Sequence, residues 1–117
     1  MSKTYCWVHY SIRDGDTQYG SNEPVVIEGD FNPEDEKLWK LLLFKLIGED
    51  EFGMEADEME DATEKDGTTF QMTECGGYRI GEIEDIKVIP QADFDVLKNY
   101  MGWTEITNDF EEKVMLN

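Results

Sequence analysis

Few side chains in this sequence are suited to covalent or proton-transfer chemistry. His9 is the only histidine, so any Ser-His-Asp or Cys-His arrangement must use it. It sits in TYCWVHYSI, alternating with Trp7 along a stretch of strand-like composition, and no nucleophile-elbow sequence accompanies it. A lone strand histidine in that setting reads as a surface or half-buried packing residue. Cys6 and Cys75 form no CxxC pair, and one histidine leaves no zinc set. Both fall in predicted strands and are expected as buried thiols, since nothing in the sequence suggests export. A bridge between them stays open if those strands are neighbours. The stretch from Asp14 has the D-x-D-x-Q spacing of a calcium loop, but Tyr19 replaces the required glycine and Val25 the bidentate glutamate. It reads as a turn in which Asp14 and Asp16 bind a divalent ion weakly at best. GGYRIG lacks the Lys-Ser/Thr and the strand-to-helix setting of a phosphate loop. Paired carboxylates for glycoside hydrolysis exist in any number among 28 acidic residues, so no pair is singled out. A chain this short also has difficulty enclosing a pocket of several hundred cubic ångströms. The expectation is a protein that is not an enzyme, with no cofactor and no catalytic or metal site.

What dominates instead is charge. The chain of 117 residues carries 28 Asp+Glu against 10 Lys+Arg, a net charge of −18. Residues 49–66 hold ten acidic residues and one Lys, a net of −9, and the remaining 99 residues supply the other −9. Such a surface repels nucleic acid and anionic membranes, and no basic stripe exists to bind DNA or RNA directly. A basic partner protein is the complement. If 49–66 were helical throughout, it would present one carboxylate per ~2.7 Å of axis. That is within a factor of two of the charge spacing of duplex DNA, about one per 1.7 Å. The expected partner-binding residues are Glu49, Asp50, Glu51, Glu55, Asp57, Glu58, Glu60, Asp61 and Glu64. Trp7 is a further anchor for Lys and Arg through cation–π contact.

The elements that must position these residues follow from pattern. Residues 4–12 read as a strand whose core face is Cys6, Val8, Tyr10 and Ile12. Residues 13–23 read as a long loop, and Val25–Glu28 as a second strand completing an antiparallel hairpin. Asn32 as cap, Pro33 at the first position and acidic residues 34–36 start a helix. Its wide apolar arc, Leu38 to Ile47, makes it the central element, and Gly48 is placed to end it. The acidic segment is either a short helix over about 54–64 or a loop. A second hairpin turns at Gly76-Gly77, with Glu74 facing Arg79 and a bulge near Glu84-Asp85. Pro90 starts a second helix whose buried face would be Phe94, Leu97, Tyr100 and Met101. A short strand at 103–106 and a helical turn capped by Asn108 would follow.

The expected fold is therefore a single α+β domain spanning 1–117. An antiparallel sheet of about four strands in two hairpins packs against two helices, in the order β-β-α-(acidic segment)-β-β-α. No stretch approaches the roughly 18–20 apolar residues of a membrane span. MSKTYCWVHY lacks the pattern of a secretory signal, so the cytoplasm is the expected location. In size and charge, though in no motif, the chain resembles the small acidic inhibitors carried by phages and mobile elements. That resemblance implies a nucleic-acid mimic that blocks a basic nucleic-acid-binding protein or complex, such as a component of a defence system. The other readings are an acidic accessory or structural domain without mimicry, and a small enzyme or metal-dependent module around His9. An exposed edge strand would also allow a homodimer.

Overall fold

The structure, a computed structural model, describes residues 2–59, 63–66 and 69–115, and the side chains within them except those of 63–66, 69–70 and 115. Strand β1 (Lys3–Asp14) pairs antiparallel with β2 (Thr17–Glu28) over their full lengths, Asp14 standing opposite Thr17. The turn between them is only Gly15-Asp16, where Gly15 takes φ +63. The long loop expected over 13–23 is thus mostly strand. Residues 17–22 are exposed, so no apolar alternation marks them, and one Gly-Asp pair reverses the chain by itself.

On its other side β1 pairs with β5 (Arg79–Val88), and the register slips between His9 and Tyr10, leaving Glu84 as the extra residue of a bulge. Beyond β5 lie β4 (Thr69–Glu74) and β3 (Thr63–Asp66), both antiparallel; β6 (Thr104–Ile106) adds to β2 in parallel. The sheet runs β3-β4-β5-β1-β2-β6. The α+β class holds, but a mixed sheet of six strands replaces the expected antiparallel four. Of the two strands beyond the four, β6 falls within the short strand expected at 103–106, whereas TEKD has no apolar alternation to announce β3.

Alternation on β1 divides the sheet into two faces. Cys6, Val8, Tyr10 and Ile12 are buried against α1 (Glu36–Leu42), which continues as a π-helix over Leu43–Glu51. The helix starts later than Asn32-Pro33 suggested. Residues 32–35 form a preceding turn in which the Asn32 N–H donates to Asp35 Oδ2 (2.8 Å) and the Asp35 N–H to the Asn32 carbonyl (3.0 Å). Nor does Gly48 end it. Gly48 is buried where a Cβ would meet Met72 Sδ at 3.0 Å and Met59 Sδ at 3.2 Å, so its absent side chain serves close approach to the sheet. One step over, Gly81 on β5 lies against Ile47: a Cβ there would overlap Cγ2 and stand 3.0 Å from Cδ1.

Four α-helices are described rather than two. α2 (Ala56–Met59) and α4 (Asn108–Met115) cover the same side of the sheet as α1, burying Met59, Phe110 and Val114. Thr107 Oγ1 caps α4 by accepting the Phe110 N–H (3.3 Å), and the Asn108 N–H goes to Glu28 (3.0 Å) instead. α3 (Gln91–Leu97) lies on the opposite face, Phe94 packing on Tyr5 with ring centroids 5.2 Å apart. It ends at Leu97, short of the expected Met101. Only Phe94 of the expected apolar face is buried, and Tyr100 is 84% exposed. Among the described residues no helix is long and apolar enough to cross a membrane.

Candidate functional site

The acidic residues of 49–58 divide into two groups with different surroundings. Glu49, Asp50 and Glu51 close the π-helix and are engaged within the fold. Lys45, one turn earlier, places Nζ 2.8 Å from Glu49 Oε1 and 3.7 Å from Asp50 Oδ1, and Lys113 reaches Glu49 Oε2 at 3.9 Å. Burial opposes the charge on Lys45, yet Glu49 and Asp50 outweigh it and its pKa is raised. Glu51 turns toward the sheet, where the Tyr10 and Tyr19 hydroxyls donate to its two oxygens, each at 3.4 Å. Its carbonyl accepts from Arg79 Nη2 (3.2 Å), while Nη1 holds Glu74 at 2.9 Å, the cross-strand pair expected from sequence. Burial drives the Tyr10 phenol up to about 12.

Burial also raises the carboxyls of Asp50 and Glu23. Lys45 partly counters the effect on Asp50, and the Thr104 hydroxyl, donating to Glu23, partly counters it there. Glu23 lies on β2 opposite Val8 and so points to the helix side. Sequence reading misses it because residues 13–23 look like loop; the alternation Tyr19, Ser21, Glu23, Val25 with β1 is the signal that places it.

Glu55, Asp57 and Glu58 form the second group. All three are exposed, and among the described residues none carries an ion pair. The Glu55 N–H donates to Glu58 Oε1 (3.3 Å), which opens α2. Asp57 and Glu58 join Glu74 and Cys75 along a groove of about 560 Å³ that Met54 also lines. Among the described residues no cation lines it, although Arg79 reaches Glu74 from outside. The segment is therefore not the continuous acidic helix that would match DNA charge spacing: helix stops at Glu51, resumes for one turn at Ala56, and residues 63–66 are strand. Glu60 and Asp61 lie outside the described residues, as does the side chain of Glu64, whose backbone belongs to β3.

Trp7 is not beside these carboxylates. It sits on the other sheet face, opposite Pro24 and Lys87, half-buried against α3. Tyr19 is exposed and bonded to Glu51.

His9 lies on the same outer face as Trp7. Its Nε2 is 3.0 Å from Glu84 Oε2, and its Nδ1 is 3.1 Å from Asn22 Oδ1. Ser11 donates to the other oxygen of Glu84 at 3.0 Å. The carboxylate, not the imidazole, therefore touches the serine, so His9 is not placed to take the Ser11 proton. Among the described residues no cluster of three or more metal-ligating side chains forms. Both cysteines are free. Cys6 is buried, which pushes its thiol up to about 12, whereas Cys75, expected to be buried, is exposed at the β4–β5 turn with φ 57. No protein-family model, curated protein or solved structure matches this chain.

Proposed function

We propose that this chain is a non-enzymatic binding protein whose acidic face occupies the basic surface of a nucleic-acid-binding protein or complex, excluding its nucleic acid. The observation that carries this reading is the groove lined by Asp57, Glu58, Glu74 and Met54 beside exposed Glu55, in which, among the described residues, only Glu74 meets a cation of the chain. Three other described cations are engaged within the fold: Lys45, Lys37 and Lys98 are paired to Glu49, Glu111 and Asp95. An Arg or Lys of the partner can lay its aliphatic stem on the methionine and its charge between the carboxylates. Net charge −18 steers such a partner from a distance, and steric occlusion does the rest. The order Ser11–Glu84–His9 on an open sheet face gives the reading around His9 no comparable support.

The test is affinity capture from source lysate at low and then high salt, comparing the native chain with the triple variant Glu55→Lys/Asp57→Lys/Glu58→Gln. The glutamine of that variant keeps an acceptor for the Glu55→Lys backbone N–H, so the opening of α2 is preserved. The expected result is one basic nucleic-acid-binding protein that salt or DNA releases and the variant fails to capture. Undiminished capture by a variant with native circular dichroism would refute the site; capture of nothing specific by the native chain would refute the function.

A further inference from the structure

Among the described residues Val96, on α3, and Tyr100, Met101 and Trp103, just after it, are exposed large apolar side chains. Val96 lines a groove of about 370 Å³ between the outer sheet face and α3, together with Trp7, Ile89, Leu97 and Asp93. Its walls are apolar apart from that one carboxylate, and Asp93 carries no ion pair among the described residues. Of the cations nearby, Lys98, just past the end of α3, is engaged with Asp95 at 3.5 Å and lies over the Phe94 and Trp103 rings, and Lys87 stands opposite Trp7 on β5.

We infer that this groove receives one large apolar side chain of a partner segment in which Lys or Arg flanks it, the flanking cation reaching Asp93. The charge balance selects that occupant. A second copy of the chain would bring another −18 to the contact and be repelled, whereas a cationic segment is drawn in by the whole molecule and by Asp93 locally. The volume suits a single large side chain wedged beside Trp7, the kind of anchor that dominates binding energy at interfaces. The groove is on the sheet face opposite Glu55, Asp57 and Glu58. The inference rests on the proposed acidic-face function only for the sign of the partner's charge.

The experiment is an NMR titration of the labelled full chain at physiological ionic strength with a blocked hexapeptide carrying one phenylalanine among lysines. Saturable shifts are expected at the Trp7 indole N–H and the amides of Asp93, Val96 and Leu97. They should vanish when serine replaces the peptide's phenylalanine. Asp93→Lys should weaken binding about threefold to tenfold, and Val96→Asp should abolish it without altering the spectrum elsewhere. Binding of a glutamate-flanked peptide with equal strength would overturn the inference. So would shifts confined to Glu55, Asp57 and Glu58, an outcome that would leave the acidic-face reading standing. Concentration-dependent shifts at Trp7 and Leu97 without peptide would overturn it too, assigning the groove to a second copy instead.

Discussion

Replacing Gly81 by alanine tests how closely the π-helix lies on the sheet. Gly81 has ordinary extended backbone within β5, so a side chain costs nothing in φ, and the reduced freedom of the unfolded chain should stabilise by about 0.4–1 kcal/mol. Against that, the new methyl overlaps Ile47 Cγ2 and meets Cδ1 at 3.0 Å, and Ile47 is fully buried in the same core as Leu43, Leu46 and Met72, with no free direction to move. Overpacking of this kind costs about 1–3 kcal/mol. The net expectation is a loss of about 1–2 kcal/mol, or a fall in Tm of about 3–10 °C for a domain of this size.

The decisive comparison is a double-mutant cycle. Ile47→Ala alone should cost about 2–5 kcal/mol through the cavity it opens. In that background the methyl at 81 enters emptied space, and Gly81→Ala should become neutral or stabilising. Urea titrations followed by tryptophan fluorescence give all four stabilities. A coupling of about 1–3 kcal/mol is expected. Additivity within about 0.5 kcal/mol, or a stabilising single Gly81→Ala, would refute the contact.

Two further outcomes follow from the site. Glu23 and Asp50 both titrate above their ordinary values of 4.5 and 3.8, so the folded chain binds more protons than the unfolded one just above those values. Their contribution is complete below the unfolded pKa and is lost as pH rises through the folded pKa. Tm should therefore be higher near about pH 5 than near about pH 8. Glu23→Gln with Asp50→Asn should flatten that slope in calorimetry; an unchanged slope would assign it to other carboxylates. With a thiol-specific chromogenic reagent, Cys75 should react at once in native protein, and Cys6, buried with its thiol pushed up to about 12, only after denaturant is added. Rapid reaction of both in the native state would contradict the packing of β1.

Where a strong local rule acted alone, the sequence was readable. The face of β1 followed from alternation, the Glu74–Arg79 pair from a Gly-Gly turn, the Glu84 bulge from two acidic residues interrupting a strand, and the apolar arc from helix periodicity. What stayed hidden depended on tertiary contact. Gly48 carries the local signature of a helix end, yet two methionine sulfurs packed on it make it a point of close approach between helix and sheet. The half of β2 bearing Glu23 has no apolar alternation because much of it faces water. β3 takes its conformation from pairing with β4 rather than from TEKD. The candidate site was legible as composition, in Glu55, Asp57 and Glu58. Its division from Trp7 was not, because which face of a sheet a helix will cover is a property of the whole fold.

The parallel pairing of β2 with β6 bears on the order in which the molecule assembles. Val25–Ile27 must find Thr104–Ile106 after nearly the entire chain between them has been laid down. Three residues of ladder give little return for closing so long a loop. The β1–β2 hairpin, closed by two residues, can form on its own early, whereas β6 has no partner until β2 is fixed and α3 has turned the chain back. Docking of β6, with Thr104 on Glu23 and Asn108 on Glu28, is then expected to be the last event of folding and the first to reverse. Amide exchange at Thr104–Ile106 should accordingly outpace exchange in β1, and proteolysis should begin by releasing the C-terminal strand and helix together.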